Sequence, residues 1–456
     1  MLLLTSCKAV GPDYVKPSVA AMTPAKWKWQ VAAPRDHMPK GPWWTVYHDP
    51  QLDRLEATAV ANNQQIKIAA SRLEQARFLA RNSYVAFLPD ANFKTDVSRT
   101  RSSGNQPTPI PIQIPVGHFN SFNPGFDISY ELDLWGRIRR NVESVKAQAE
   151  AAGADFQNGI LSLTGEVAAD YFLLRAFDFE LAALRRTIEL REKSVALIEQ
   201  RFKAGIIPEV DLSRSRTELA SAKAEISDVK RQREEASAAL ALLCGLPASN
   251  FSVSERTIAL IPPSIPAGLP ADLLERRPDV AAAERMVAAK NAEIGVAVAA
   301  FYPTIKLTGG AGLLSNDVSS LFSATSGVWS IGAGLTQPIT GYASNLIKER
   351  QARGANLEAI ATYRQAVLTA VKEVETALSQ IHYRAQQASA QTDAMRSATN
   401  ATNLIRKLHE SGSISYLELL DAERTQLLLE RQSAQIGAQQ LIATVHLIKA
   451  LGGGWR

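Results

Sequence analysis

Two cysteines and six histidines are the residues best suited to covalent, redox or metal chemistry, and their spacing supports little of it. Cys7 and Cys244 share no metal or redox motif with each other or with His37, His48, His118, His382, His409 and His446. No histidine has a partner four residues away, and no Gly-x-Ser-x-Gly or phosphate loop occurs. Gly309-Gly310-Ala311-Gly312 follows alternating residues and lacks a downstream Lys-Ser or Lys-Thr, so small strand residues account for it. The chain is therefore predicted to hold no catalytic site, no metal and no cofactor. Cys244, in Leu242-Leu243-Cys244-Gly245-Leu246-Pro247, reads as a small buried residue near a helix end.

Cys7 is the exception. Leu4-Thr5-Ser6-Cys7 has the form of a lipobox, in which an apolar residue and two small ones precede the cysteine that is acylated. A chance match near the terminus is the alternative. The charged and apolar segments that precede such a box are missing, so either the start is assigned too late or the signal was trimmed.

Positioning must come from the elements, and composition permits a folded chain: 46% of residues are apolar and 21% charged. The net charge of +5 comes from Lys and Arg scattered among Asp and Glu, without a basic block, which argues against nucleic acid. No apolar run approaches the roughly 18 residues of a membrane-spanning helix.

The chain repeats itself with a period of slightly more than about two hundred residues. Tyr84-Val85-Ala86-Phe87-Leu88-Pro89 closes a helical stretch, as does Val298-Ala299-Ala300-Phe301-Tyr302-Pro303, and each proline starts a β-like segment. Lys203 to Leu212 corresponds to Glu410 to Leu419, and both read as tight turns between long helices, with Gly205 and Gly412 tolerating positive φ.

Between these landmarks the period becomes two. Phe122, Phe126, Ile128, Tyr130, Leu132 and Leu134 alternate with Asn123, Asp127, Ser129, Glu131 and Asp133, and Phe93, Thr95 and Val97 alternate with Lys94, Asp96 and Ser98. Ile305 and Leu307, then Trp329, Ile331, Ala333 and Leu335, repeat the pattern. Four strands in two hairpins are predicted. The loops at Ser102 to His118, with Pro107, Pro109, Pro111 and Pro115, and at Leu314 to Gly327 are expected to be surface-exposed. Four strands cannot close a barrel alone, so closure is expected from other copies, with apolar faces toward lipid and carboxylates toward water. A soluble sandwich needs more strands and leaves the helices unexplained.

From Arg137 to Phe202 there is no proline, and at about 1.5 Å per residue a continuous helix would reach roughly 100 Å. Leu174, Leu181, Ile188, Val195 and Phe202 recur every seventh residue, with Phe177, Leu184 and Ile198 at the companion position. The returning helix continues with Leu212, Leu219, Ile226 and Leu240, interrupted by Arg233.

These landmarks resemble the outer-membrane factor family, in the lipoprotein branch of efflux channels related to the nodulation-type and OprM-like proteins. The resemblance is carried by Gly11-Pro12-Asp13-Tyr14, Ser129-Tyr130-Glu131-Leu132-Asp133-Leu134-Trp135-Gly136-Arg137, and Arg276-Arg277-Pro278-Asp279-Val280 through Ala283-Glu284-Arg285 to Phe301-Tyr302-Pro303. Leu420-Asp421-Ala422-Glu423-Arg424 and Ala450-Leu451-Gly452-Gly453-Gly454-Trp455 complete it. It implies a mainly α fold with a membrane β-barrel: a homotrimer whose protomers each give four strands to one twelve-stranded barrel, with a coiled-coil helical barrel in the periplasm and an equatorial belt. It implies an outer-membrane exit duct for small molecules, working with a periplasmic adaptor and an inner-membrane RND-type pump, with Cys7 carrying the lipid. Lys8 stands where an inner-membrane retention aspartate would otherwise follow. Gly205 to Pro208 and Gly412 to Ser415 would form the periplasmic tips and gate, with Asp211, Glu410 and Glu418 flanking them. Some relatives carry acids inside the second tip, where this chain has Ile414 and Ser415.

The expected organisation is an extended N-terminal segment over 1–50, a first repeat over 51–245 (hairpin about 90–134, helix pair about 137–245) and a Pro-rich connector over 246–271. A second repeat over 272–451 (hairpin about 304–339, helix pair about 343–451) and a tail over 452–456 follow. The competing class is a lipid-anchored coiled-coil scaffold or periplasmic adaptor, which the matched hairpins disfavour.

Overall fold

The computed structural model describes residues 8–24, 26–28, 41–103, 117–259, 261–263, 265 and 277–453. Cys7 with the rest of the lipobox, His37, Pro107 to Pro115, Arg276, Gly454 and Trp455 lie outside them. In chain order the main elements are α1 (Pro50–Asn62), α2 (Gln64–Ser83), β1 (Asp90–Arg101), β2 (His118–Leu132), α3 (Arg137–Lys203) and α4 (Glu209–Leu243). Then come α5 (Pro278–Ala299), β3 (Thr304–Leu313), β4 (Gly327–Thr336), α6 (Tyr342–Glu410) and α7 (Tyr416–Ala450).

The internal repeat is visible in the lengths, since α3 and α4 have 67 and 35 residues and α6 and α7 have 69 and 35. Local chemistry sets the boundaries. The Asp49 carboxylate accepts from the Gln51 amide at 2.9 Å, with Pro50 in the first turn, and starts α1. Asn63 Oδ1 accepts from the amides of Gln65 and Ile66 and restarts the helix as α2. The alternating pattern reaches Leu134 in sequence, but β2 stops at Leu132. Asp133 is withdrawn because its carboxylate caps α3, accepting from the amides of Ile138 at 3.0 Å and Arg139 at 2.9 Å.

The chain forms two compact units. The first, Met1–Pro17, Glu74–Ala151 and Glu284–Ala361, holds the whole sheet, an antiparallel array in the order β1-β2-β3-β4. Its loop from Leu314 to Gly327 is mostly exposed, as expected, with three residues turned inward. Ser315, Leu321 and Ser326 are buried there, because the Ser315 amide and carbonyl pair with Phe122 and the Ser326 hydroxyl donates to the Ser320 carbonyl.

The second unit, Ser18–Leu73, Ala152–Ala283 and Thr362–Arg456, is helical. Leu174, Leu181, Leu184 and Ile198 of the α3 heptads are buried, as are Leu212 and Leu240 of α4, while Phe202 at the far end is 36% exposed. Arg233, which breaks the α4 heptad in sequence, is nonetheless buried in the seam. Its Nε donates to Asp178 Oδ1 at 2.7 Å and its Nη2 to the Val253 carbonyl at 2.5 Å. Arg175 pairs with the other Asp178 oxygen and donates to the Ser254 carbonyl at 2.9 Å, and the Arg256 amide also reaches Asp178. Three donors thus compensate one buried carboxylate. Cys244 is fully buried at the C-cap of α4.

Candidate functional site

Strand register decides what the sheet can do. Phe93 stands opposite Phe126, Ile128 opposite Gly309, and Leu307 opposite Ala333, while Ile305 faces Leu335 and Ala311 faces Trp329. Every apolar set predicted from alternation therefore falls on one face of all four strands. The Phe93 and Phe126 rings lie 5.1 Å apart, tilted at 57°, yet each residue is 61% exposed, and Trp329 and Ile331 are 77% and 84% exposed. The other face carries Lys94, Asp96, Asp127, Ser129, Glu131, Lys306, Thr308 and Ser330, interleaved with Gly310, Gly312, Gly332 and Gly334. An uncovered apolar face backed by a polar one is the arrangement of a lipid-facing, water-lining wall. The β1 and β4 edges have no partner strand among the described residues.

Aromatic residues gather where the strands meet the helices. Trp135 Nε1 donates to the Pro303 carbonyl at 2.8 Å and its ring stacks on Tyr302 at 4.7 Å, while Phe301 meets Tyr342 at 5.3 Å. Such residues favour the level of lipid headgroups. The segment after Cys7 is held in the same unit. Arg140, buried, donates to Asp13 at 2.7 Å and to the Val10 carbonyl at 3.3 Å, and Asn291 donates to the Pro12 carbonyl at 3.0 Å. Lys8 and Arg140 hold the Asp13 carboxyl below the usual carboxylate range. At Gly11, with φ 92°, a Cβ would lie 2.5 Å from the Cα of Gly295, so the strap can approach only through glycine.

At the far ends of α3 and α6 the two tips share one geometry. Gly205 and Gly412 have φ of 73° and 76°. The Gly205 amide donates to the Phe202 carbonyl and the Ile206 amide to Arg201; Gly412 and Ser413 repeat this with His409 and Leu408. This is a Schellman ending, in which the left-handed residue satisfies the last helical carbonyls. Pro208 is the N-cap of α4, and Ser415 caps α7 by accepting from the Glu418 amide. Asp211 and Glu418 lie in first turns, where the helix dipole favours a carboxylate. Glu410 ends α6.

The two tips come together within the chain through Ile198, Leu212, Tyr416 and Leu420, with Ile207 against them. Other charges near the tips pair close to home. Lys203 and Arg216 share Glu199, at 3.2 and 3.6 Å, and Arg406 meets Glu423 at 3.1 Å, all within single hairpins. Further from the tips lie ion pairs that link hairpins. Buried Glu218 of α4 meets Arg191 of α3 at 3.2 Å and Arg424 of α7, and Arg431 of α7 meets buried Glu180 of α3 at 3.1 Å. Sequence reasoning missed these residues, although Arg191 occupies the gap between Leu184 and Ile198 in the companion heptad, as Arg233 does in α4. Among the described residues no His, Cys, Asp or Glu group is arranged to hold a metal, and no helix is long and apolar enough to cross a membrane.

The model of one protein family, described as outer membrane efflux protein, matches residues 56–246 and 269–453. The chain belongs to that family. It is similar to the pyoverdine export outer membrane protein OpmQ of Pseudomonas putida, 29% identical over 459 residues that cover 100% of this chain and 96% of the relative. It is also similar to the solvent efflux pump outer membrane protein SrpC of Pseudomonas putida, 32% identical over 470 residues, 100% of this chain and 97% of the relative. The solved outer-membrane channel OprN superposes with a TM-score of 0.90 at 30% identity, covering 98% of this chain and 99% of that one. As an outer membrane efflux protein the chain is a channel of the tripartite efflux type and not an enzyme, and its mainly helical fold with four antiparallel strands is the expected one.

Proposed function

We propose that three copies close one twelve-stranded barrel in the outer membrane and form the passive exit duct for small molecules delivered by an inner-membrane RND-type pump through a periplasmic adaptor. The observation that carries this reading is the sheet, whose apolar face is exposed on all four strands and whose two edges have no partner strand among the described residues. An open edge is an invitation to pair, and closure is the arrangement that removes it. Purified full-length protein in detergent should run as a heat-labile trimer and give discrete conductance steps in planar bilayers. It should also restore drug resistance to cells lacking their own exit duct when pump and adaptor are supplied. A monomer without conductance would overturn the proposal.

The tips at Gly205, Pro208 and Asp211 and at Glu410, Gly412 and Glu418 serve in this proposal as the gate and the adaptor-facing end. Acylation of Cys7 supplies the lipid anchor, supported by the strap that Arg140 and Asn291 clamp from Val10 to Asp13. One acyl chain binds membranes only marginally, so several chains and the barrel share the anchoring. Mass spectrometry of the native protein should find Cys7 acylated, and an unmodified Cys7 would remove the anchor from the proposal.

A further inference from the structure

We infer that the apolar face of the first hairpin ends, at the rim farthest from the helices, in a binding site for the phosphate groups of lipopolysaccharide. Arg99 and Arg101 hold the phosphate, with Asn120 and His118 beside them. The inference rests on the shared barrel proposed above and adds a lipid partner for its outer rim.

Strand register puts the four side chains together. β1 pairs with β2 without interruption from Asp90 to Arg101, so Arg99 and Arg101 share the face of Phe93 and Val97. Arg99 stands opposite Asn120 and Arg101 opposite His118, and all four residues are exposed. Side chains directly across a ladder lie about 5 Å apart, and those two residues apart on one strand about 7 Å, so both guanidinium groups can converge on one phosphate.

The charge distribution sets this rim apart. Asp90, Lys94, Asp96, Asp127, Glu131 and Lys306 all lie on the polar face, so the two arginines are the only Lys, Arg, Asp or Glu that the four strands place on the apolar one. Between Asp96 and Asp127 the sequence contains no Asp or Glu, and nothing in the hairpin beyond Asp96 neutralises them. Asp96 itself pairs with Lys94 at 3.4 Å. Asp317, the acid in the loop of the second hairpin, accepts from the amide and hydroxyl of Ser319 at 2.9 and 3.0 Å.

Height then selects the ligand. In the proposed barrel the helices mark the periplasmic end. From Asp90 to Arg99, at about 3.4 Å per residue and a tilt of roughly 40°, β1 climbs about 23 Å, against an apolar band roughly 25 Å tall. Arginine on the lipid face is costly near the midplane and nearly free at the border, which is where this pair stands. The outer border is also where lipopolysaccharide presents the phosphates of its lipid A, and the planar guanidinium fork matches a phosphate in shape and charge.

The test uses the full-length trimer purified in mild detergent. Lipid A should bind severalfold more tightly than lipid A stripped of its phosphates, than phosphatidylglycerol and than inorganic phosphate alone. Arg99→Gln with Arg101→Gln should abolish that preference and carry severalfold less lipopolysaccharide through purification, with conductance unchanged. Arg99→Lys with Arg101→Lys should retain part of the preference, and Lys94→Gln, which removes a positive charge from the other face, should retain all of it. Equal binding of phosphate-free lipid A, of phosphatidylglycerol or of free phosphate overturns the site, as does an undiminished lipopolysaccharide content in the double Gln variant. The lipid comparison is made on the unaltered chain, so it decides even where a variant yields little protein. Any of these results in a conducting trimer overturns the lipid site alone; a monomer without conductance overturns the shared barrel with it.

Discussion

Single residues in this protein differ most in how their charges are compensated. Asp178 and Lys193 both belong to α3 ion pairs, but the Asp178 side chain is 1% exposed and Lys193 and Glu189 are 70% and 67% exposed. Removing the solvated pair should change stability by about 0 to 1 kcal/mol. Asp178→Ala strands the buried guanidinium groups of Arg175 and Arg233 and should cost about 3 to 5 kcal/mol. Hydrogen exchange along α3 and α4 measures the difference, and equal protection in the two variants would show that the cluster is not compensating buried charge. Glu56 poses the opposite case. It is fully buried, neither carboxylate oxygen has a hydrogen-bond partner among the described residues, and burial pushes its pKa up to about 9, with nearby Asp53 adding to the effect. Burial first, and then Glu56, push the Cys244 thiol up to about 11. A carboxyl raised in the folded state binds its proton there while the unfolded chain releases it. Its contribution is therefore complete below the ordinary value of 4.5 and is lost as pH rises toward about 9. Glu56→Gln keeps the neutral shape and should flatten that decline; thermal unfolding profiles between pH 5 and 9 that keep the wild-type slope would place the titration elsewhere.

Elements were legible in sequence to the extent that one period governed them. Alternation at Phe126, Ile128 and Tyr130 specified a two-faced strand because the pleat has period two, and the registers align those faces across the sheet. Alternation overshot at Asp133 and Leu134, where a capping carboxylate outweighed the pattern. The heptads specified the helix pairs, but polar residues within the seams carry no period of their own. Arg233 reads in sequence as an interruption and Arg191 is not singled out at all, yet Asp178 and Glu218 stand against them. The buried Ser315 and Leu321 of the second hairpin loop were likewise invisible, because irregular backbone with side-chain hydrogen bonds has no periodic signature. The face assignment gives a direct prediction for β2. Ile128→Arg places a charge on the apolar face and should cost about 2 to 4 kcal/mol near the bilayer midplane, whereas Asp127→Asn on the polar face should be mild. Trimer yield in outer membranes measures both, and equal losses would mean that inside and outside have been exchanged.

For the whole molecule, where the duct opens depends on what is already locked inside one chain. The first tip cannot move freely against the second, because Ile198, Leu212, Tyr416 and Leu420 form a shared cluster and Glu218 bridges Arg191 and Arg424. Any change of aperture in a trimer is therefore concentrated between copies. The tips carry apolar residues with no cover in the single chain: Ile206 and Val210 on the first are 70% and 50% exposed, and Leu404 and Leu417 on the second are 63% and 51% exposed. Asp211, Glu410 and Glu418 add charges, but single exposed pairs contribute only about 0 to 1 kcal/mol, so in the proposed gate apolar contact between copies would be the larger closing term. Cysteines placed across neighbouring copies at Val210 or Ile206 and at Leu404 or Leu417 should, once oxidised, hold the tips together. Efflux in cells should then fail and single-channel conductance should fall, with both restored by reductant. Cross-links between cysteines in the loop from Pro107 to Pro115 should leave both unchanged. If oxidised tips conduct as freely as reduced ones, the constriction is not at Gly205 to Asp211 and Glu410 to Glu418, and the narrowest point must be sought elsewhere along the helices.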